Sequence, residues 1–223
     1  MARKRKVGNL MALAVLSVLA TGDMHRYEIA ARLRAWGKDR DMGVKWGSLY
    51  TVVDNLTRHG FLEIAGSERD GARPERTIYR ITDAGRAELA DWARELISTP
   101  MPEQRPFMAG LSVLAALPPD DVVELLGTRI AALERTIAEQ RAQLSTLEST
   151  LPRLFLIEDE YELAMLEAEA HWARTTRDAL ADGTFPEIGT WRAWHLAGTT
   201  PAEVVTEVEG GAPGAQPPDT NSR

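Results

Sequence analysis

The sequence predicts a mainly α-helical protein with one small β-hairpin in its first half. Two observations support this prediction. Apolar residues recur at helical spacing through most of the 223 residues, whereas residues 61–82 alternate with a period of two on either side of a turn. Farther along, apolar positions from Val123 to Leu147 follow the alternating three- and four-residue spacing of a coiled coil. Short elements therefore come first and long helices second.

Two helices are predicted ahead of the hairpin. Residues 9–20 are almost continuously apolar, and residues 27–36 place apolar side chains at helical spacing, with Gly22 and Asp23 between the two segments. The first segment has about 12 residues, too few to cross a bilayer core of about 30 Å, so we interpret it as a buried core helix. It also lacks the small-residue cleavage site of a signal peptide.

A third helix is predicted over residues 47–59, where four apolar residues recur at helical spacing. They are Leu49, Val52, Val53 and Leu56. Gly60 follows at the point where a left-handed residue commonly ends a helix. The opposite face is polar and consists of Ser48, Tyr50, Thr51, Asn55 and Arg58. This helix therefore presents hydrogen-bonding groups on one side and an apolar stripe on the other.

Beyond Gly60, residues 61–64 and 77–82 alternate like the two strands of a hairpin. The turn between them contains glycine and proline and carries Arg69, Arg73 and Arg76. A polar helix beside a basic hairpin suits a helix that enters the major groove of DNA while the hairpin, or wing, contacts the flanking phosphates.

At these residues the sequence resembles the PadR-type winged-helix transcriptional regulators, over about residues 8–92. The shared motifs, in family order, are Gly47-Ser48-Leu49-Tyr50, then Leu56 with His59-Gly60-Phe61, then Arg76-Thr77-Ile78-Tyr79-Arg80-Ile81-Thr82-Asp83-Ala84-Gly85. The family usually has proline where this chain has Thr51, and glycine where it has Arg26. The resemblance implies an N-terminal winged helix-turn-helix of three helices plus the wing. It also implies a dimeric repressor whose third helix reads a palindrome-like operator and whose long C-terminal helices form the dimer.

On this resemblance, the polar face of the third helix binds double-stranded DNA. Ser48, Tyr50 and Thr51 would lie near phosphates, whereas Asn55 is suited to adenine and Arg58 to guanine. Trp46 either packs under the helix or touches the DNA backbone. The expected phosphate anchors are the basic residues before the helix, on the wing and at the N-terminus: Lys45, Arg69, Arg73, Arg76, Arg3, Lys4, Arg5 and Lys6.

Several of these residues also have a purely structural alternative. Ser48 can act only as an N-cap, Tyr50 can only pack, and Arg58 can pair with Asp54 one turn away. The basic run of residues 3–6 can be a mobile, solubilising tail.

The charge is divided unevenly along the chain. The formal net charge is −7, but residues 1–95 hold 17 Lys and Arg against 13 Asp and Glu, a net of +4. The remainder holds 9 against 20, a net of −11. Because only the local charge faces a phosphate backbone, the basic first part is compatible with strongly salt-dependent DNA binding.

The second half is predicted to form long antiparallel, coiled-coil-like helices. Pro118 and Pro119 precede Asp120 and Asp121, which can cap a helix and suit its positive end. Pro152 ends the seam-bearing helix, and a second helix is predicted from about residue 154 to 180. We expect the apolar stripes of both helices to form a homodimer interface through Leu126, Ile130, Leu133, Ile137, Leu144, Leu147, Leu163 and Leu166.

An intramolecular antiparallel hairpin of the two helices is the alternative to this dimer seam. Gln140, a polar residue at a seam position, favours a register-setting contact in an oligomer.

The family resemblance also implies a small effector, often aromatic, that weakens DNA binding. Trp172, with Tyr161 and Met165 on the same helical stripe, is our candidate for the effector pocket. Packing between helices is the alternative, because aromatic stripes at helical spacing usually belong to a core.

Two further apolar groups are expected to pack in the second half. The short segment before the long helices, residues 107–117, is expected to be core. The C-terminal end of the bundle is expected to be closed by Phe185, Trp191 and Trp194.

These patterns divide the chain into four parts: a winged-helix DNA-binding domain at 1–95, a linker and short helix at 96–119, a helical dimerisation and effector domain at 120–198, and a disordered tail at 199–223.

Without cysteine, the chain has no disulfide, thiolate nucleophile or cysteine-ligated metal. No metal-binding histidine spacing, nucleophile elbow or phosphate-binding loop occurs, and the acidic residues at 158–162 suit a solvated helix face. We therefore expect a non-enzymatic protein without cofactors, membrane partners or a metal site, located in the cytoplasm.

The predicted function is a sequence-specific DNA-binding transcriptional regulator, a homodimeric repressor relieved by a small, aromatic ligand. Two other functions fit parts of the pattern. One is a winged helix used for protein contacts, and the other is a small-molecule sensor without operator-specific DNA binding.

Overall fold

The computed structural model describes residues 5–38, 42, 46–68, 76–101 and 105–198. The chain divides into two compact units, Met1–Glu103 and Gln104–Arg223. We call them the N-terminal and C-terminal units. The described residues contain no helix that is both long enough and apolar enough to span a membrane. The predicted tail from residue 199 lies outside the described part of the chain.

The N-terminal unit contains the three predicted helices and one more. They are α1 (Leu10–Leu19), α2 (Arg26–Ala35), α3 (Leu49–Arg58) and α4 (Asp83–Ser98). A 3₁₀ turn at Trp46–Ser48 precedes α3, so the α-helix begins two residues later than the sequence pattern indicated. Gly60 has a φ of 76°, the left-handed conformation predicted for the end of α3. α4 continues past residue 95, the predicted end of the first domain.

A three-stranded antiparallel sheet completes this unit. Its strands are β1 (Met24–His25), β2 (Leu62–Glu68) and β3 (Arg76–Ile81), in the order β1-β3-β2. β2 and β3 form the predicted hairpin, with a register shift between Ile64 and Gly66. β1 was not predicted, because two residues are too short for any periodicity to show. Arg76 is the first residue of β3, not part of the turn to which the sequence assigned it.

The core of the N-terminal unit is built around α1. Eight of the ten residues of α1 are buried, which explains its continuous apolar sequence. α2, α3, β3 and α4 all pack against it. The largest completely buried side chains contributed by these elements are Leu16, Leu19, Ile29, Leu33 and Leu56. A helix covered on nearly every side fixes the elements that surround it.

Gly85 in α4 allows a close approach between helix and sheet. A Cβ atom at this position would overlap the carbonyl oxygen of Phe61 and lie 2.8 Å from Cγ1 of Ile81. Thr82 caps α4 by accepting a hydrogen bond from the Gly85 amide at 3.0 Å, and its hydroxyl donates to the Gly60 carbonyl at 2.7 Å. The end of α3 and the start of α4 are thereby joined.

Arg5 anchors the N-terminal segment to α4. Its side chain is 5% exposed, donates to Glu88 at 2.6 Å and to Glu95, and lies 5.1 Å from the ring centre of Trp92. Asp91 is 3.5 Å away on the same helical face. Burial lowers the pKa of Arg5, but the hydrogen bonds to Glu88 and Glu95 together with the negative charges of these two residues raise it overall. We expected Arg5 to anchor phosphate, but its guanidinium is occupied by carboxylates of its own chain.

The C-terminal unit consists of two long and two short helices. They are α5 (Pro106–Ser112), α6 (Pro119–Glu148), α7 (Ile157–Asp182) and α8 (Ile188–Ala197), with 3₁₀ turns at Leu114–Ala116 and Arg153–Phe155. The second turn moves the start of α7 beyond the predicted residue 154. α6 begins at Pro119 without a side-chain cap, so Asp120 and Asp121 lie in its first turn and do not cap it.

The coiled-coil seam of α6 is covered by α7 of the same chain. Leu126, Ile130, Ile137 and Leu144 are at most 9% exposed, and the first two share a core with Ala173 and Leu180 of α7. This is the intramolecular hairpin considered as the alternative, so these four residues need no partner chain for burial. A short connection favours it, because closing a short loop costs little entropy. Leu133, Leu147, Leu163 and Leu166 are half-buried.

Gly85→Ala should destabilise the N-terminal unit by about 3 kcal/mol, because the added methyl group meets a backbone carbonyl that cannot move alone. Gly127→Ala is the matched control, since a Cβ at this α6 position meets nothing within 4 Å. It should stabilise the chain by about 0.5–1 kcal/mol through helix propensity. Urea denaturation monitored by circular dichroism measures both. Equal free energies of unfolding for the two variants would contradict the close approach of Gly85 to the Phe61 carbonyl.

Arg5→Ala should lower the free energy of unfolding by roughly 1.5–3 kcal/mol, because it removes the cation that the α4 carboxylates share. Lys6→Ala, at the exposed neighbouring position, should change stability by less than about 0.5 kcal/mol. The same denaturation experiment compares them. If both variants had the same free energy of unfolding as the unchanged protein, Arg5 would not be the anchor of this segment.

Candidate nucleic-acid interface

The interface is built on α3, whose two faces have different roles. Its apolar face is fixed in the core by Leu49, Val52, Val53 and Leu56, none more than 3% exposed. The opposite face is open, with Thr51, Asp54 and Arg58 at its centre and Tyr50 and Asn55 on its flanks. A helix held in this way presents its polar side chains from a rigid base.

The start of α3 places Trp46 and Ser48 as follows. Trp46 is half-buried against the core, and the guanidinium of Arg34 lies 4.1 Å from its ring centre. This is the packing role that the sequence left open for Trp46. Ser48 occupies the N-cap position, but its hydroxyl makes no capping hydrogen bond to α3. The structural alternative of a serine that only caps is therefore not what the structure shows.

Tyr50 joins α3 to α2. Its side chain is 44% exposed, and the guanidinium of Arg26 lies 5.2 Å from its ring centre. A hydrogen bond with the side chain of Tyr27 raises the pKa of Tyr50. Tyr27 is itself 65% exposed. Two phenol groups therefore lie side by side at the edge of the open face.

Arg58 is paired differently from the alternative that the sequence suggested. Its Nη1 donates to Oδ1 of Asn55 at 2.8 Å. Asp54 instead accepts a hydrogen bond from Arg26 of α2. Asn55 and Arg58, the two residues assigned to base recognition, thus form one connected polar group on the surface of α3.

The base of the wing lies against β1 and α2. Nη1 of Arg76 lies 3.3 Å from Nε2 of His25, and the Arg76 guanidinium lies 5.8 Å from the ring centre of Tyr27. His25 is buried and caps α2, its Nδ1 accepting from the amide of Glu28 at 3.2 Å. Arg76 and the exposed tyrosines of α2 and α3 are thereby brought together.

Other predicted DNA contacts are separated from this group or lie outside the described residues. Lys6 is exposed, whereas Arg5 is buried against α4. Arg3, Lys4, Lys45, Arg69 and Arg73 lie outside the described part of the chain. Arg26, Tyr27 and Asp54 were not predicted as site residues. The only signal was Arg26 itself, at a position where the resembled family has glycine.

Two of the three residues predicted for an effector pocket, Tyr161 and Trp172, have exposed side chains. Tyr161 is 65% exposed and Met165 is half-buried, while Trp172 packs edge-on against Phe107 at 5.8 Å between ring centres. A cavity of about 340 Å³ lies elsewhere in the C-terminal unit, between the segment 111–115 and α8. Its lining includes Leu111, Leu114, Phe185, Glu187, Trp191 and Trp194.

Trp191 closes one side of this cavity. It is 8% exposed, and its Nε1 donates to the carbonyl of Leu117 at 3.0 Å. Glu187, on the rim, has a φ of 59°, an uncommon value for a residue with a side chain. The expected closure of this end of the bundle by Phe185, Trp191 and Trp194 agrees with the core that the structure shows there.

Residues 15–91 match the model of the transcriptional regulator PadR-like family. The negative transcriptional regulator PadR of Bacillus subtilis is 23% identical over 151 residues, which span 65% of this chain and 75% of that protein. The crystal structure of Bacillus subtilis PadR in complex with operator DNA superposes with a TM-score of 0.65 at 18% identity, covering 77% of this chain and 99% of that one. Its complex with p-coumaric acid gives a TM-score of 0.64 at 18% identity, covering 78% and 99%.

The family match includes all of α3 and both strands of the hairpin, the elements that form the open polar face and the base of the wing. The structural likeness extends the shared fold to most of the chain. Residues 15–91 thus match the transcriptional regulator PadR-like family, and this match spans α2, α3, the three-stranded sheet and parts of α1 and α4.

Proposed function

We propose that this protein is a homodimeric transcriptional repressor that reads operator DNA with α3 and is relieved by a small ligand. The observation that carries the proposal is the open polar face of α3, fixed from behind by buried Leu49, Val52, Val53 and Leu56. Base recognition in the major groove requires such a rigid presentation of a few side chains.

In this proposal Asn55 and Arg58 contact bases, while Thr51 and the phenols of Tyr27 and Tyr50 contact the DNA backbone. Asn55 and Arg58 already share a hydrogen bond, which restricts both side chains before DNA arrives. Ser48, Lys45 and Lys6 supply additional phosphate contacts, as do Arg69, Arg73 and Arg76 on the wing. Bacillus subtilis PadR, whose operator complex has been solved, shares the fold and supports this arrangement.

Dimerisation follows from the requirement to meet two half-sites about one DNA turn apart. Because α7 covers the seam of α6, the contact surface must lie outside the inner seam. The turn between α6 and α7, together with the start of α7, exposes several large apolar side chains, which are Leu151, Leu154, Phe155, Ile157 and Tyr161. We propose that a second copy of the chain covers this surface, together with the half-buried Leu133, Leu147, Leu163 and Leu166.

A ligand bound to the C-terminal unit would act by shifting the separation of the two α3 helices. A small shift suffices, because both half-sites must be met at once. The aromatic group of Tyr161, Met165 and Trp172 and the cavity beside Trp191 are the two places that we propose for it. The p-coumaric acid complex of Bacillus subtilis PadR supports an aromatic ligand.

A small-molecule sensor without operator-specific binding is the second candidate, favoured by the aromatic cavity in the C-terminal unit. Selection of duplexes from a random pool by the full-length protein distinguishes the two. A repressor selects a palindrome whose half-sites lie about one turn apart, roughly 10 base pairs centre to centre. A sensor enriches no sequence, and this result would overturn the proposed function.

On the selected duplex, Arg73→Ala should weaken binding to all sequences alike and reduce the salt slope by about 1, since a wing residue on phosphate carries no base information. Asn55→Ala should instead relax the base preference at one position in each half-site. Arg141→Ala, an exposed arginine of the C-terminal unit, is the control and should leave both properties unchanged. Identical salt slopes for Arg73→Ala and the unchanged protein would contradict the placement of the wing.

Leu154→Glu should shift the protein from dimer to monomer in sedimentation equilibrium by at least about tenfold in dissociation constant, because it buries a charge in the proposed contact. Gln143→Glu adds the same charge at an exposed polar position of α6 and should leave the dimer intact. Loss of the dimer in both variants, or in neither, would show that the turn between α6 and α7 is not the contact surface.

A further inference from the structure

Arg26 and Asp54 form an ion pair across the edge of the open face of α3. Arg26 is the first residue of α2, and its Nη2 donates to Oδ1 of Asp54. The guanidinium also lies 5.2 Å from the ring centres of both Tyr50 and Tyr79. Its side chain is 24% exposed, and its Nε is buried without a hydrogen-bond partner among the described residues. Two rings and a carboxylate therefore fix the position of this cation.

Asp54 lies at the centre of the face that we assign to DNA. It is one turn from Tyr50 and from Arg58, and its side chain is 54% exposed. Oδ2 of Asp54 accepts no hydrogen bond from the residues that the structure describes. One carboxylate oxygen of Asp54 is thus held by Arg26, while the side chain as a whole remains exposed.

A carboxylate at this place needs an explanation, because DNA is a polyanion. An unpaired aspartate in the middle of the face would repel phosphate in every register. The neighbouring guanidinium compensates its charge and fixes its direction at the same time. An acidic residue that is compensated and oriented has the properties needed to read a base edge.

We propose that Asp54 is a specificity-determining residue that accepts a hydrogen bond from the N4 amino group of a cytosine, and that Arg26 is its positioning residue. This inference rests on the proposed DNA-binding function. A carboxylate has no donor, so it is repelled by the acceptors N7 and O6 of guanine and O4 of thymine. Adenine presents its amino group beside the acceptor N7, whereas cytosine presents the donor alone.

The test compares base preferences of full-length variants by selection from the same random duplex pool. Asp54→Ala should reduce the preference for cytosine at one position in each half-site by at least about fivefold and leave the other positions unchanged. Asp54→Asn, nearly identical in shape, should change that preference to adenine, because an amide both donates and accepts. A residue with only a structural role would not create a new base preference.

Arg26→Gly, which introduces the residue usual in the family that the sequence resembles, tests the positioning role. It should weaken binding to all duplexes and blur the cytosine preference, since Asp54 is then uncompensated and free to rotate. Adding Asp54→Ala to Arg26→Gly should restore the general affinity but not the preference. Asp23→Ala is the matched control, because it removes a carboxylate paired with Arg80 in the same unit and should leave every base preference unchanged.

Each other result overturns an identifiable part of the proposal. If Asp54→Ala and Asp54→Asn select the same sequence as the unchanged protein, Asp54 does not read a base. If Asp54→Ala raises affinity for all duplexes equally, its effect is one of charge alone and the cytosine contact is excluded. Thermal melting of each variant identifies a folding defect, in which case the near-isosteric Asp54→Asn alone decides. Failure of the unchanged protein to select any sequence overturns the proposed function instead.

Discussion

The burial of α1 is the constraint on which the N-terminal unit depends. Since this helix is covered on nearly every side, α2, α3, the sheet and α4 each occupy a defined place against it. The apolar face of α3 is part of the layer that covers α1. Because α3 packs with this face, its opposite, polar face is left open. Thr82 and Gly85 then connect the end of α3 to the wing and α4 within one close contact. The presentation of Asn55 and Arg58 is a consequence of packing on the other side of the helix.

The sequence predicted the elements whose signal is local. The helices α1, α2 and α3, the hairpin and the seam each show a pattern within a short window, and the pattern of α3 also predicted its polar face. Contacts between distant residues left no such signal. Arg5 pairs with carboxylates more than 80 residues away, and Arg26 pairs with Asp54 at a separation of 28. No rule of spacing distinguishes such arginines from those that face a phosphate.

The seam of α6 shows a different limit of sequence patterns. The positions from Val123 to Leu147 correctly identify a buried or half-buried stripe. They do not identify the surface that covers it, because a neighbouring helix and a second chain satisfy the same spacing. Gln140 illustrates this, since its Oε1 is buried without a hydrogen-bond partner in the described part of the chain. Its polarity marks a special position without identifying the group that would pair with it.

Closure of the seam within one chain also affects how such a protein would respond to its own abundance. A C-terminal unit whose long helices cover each other can fold before it meets a partner, so separation of two copies does not require unfolding. If the chain pairs as proposed, the concentration of pairs in the dilute range rises with the square of the total amount of protein. Occupancy of an operator would then change more steeply than the supply of the protein itself, without any ligand.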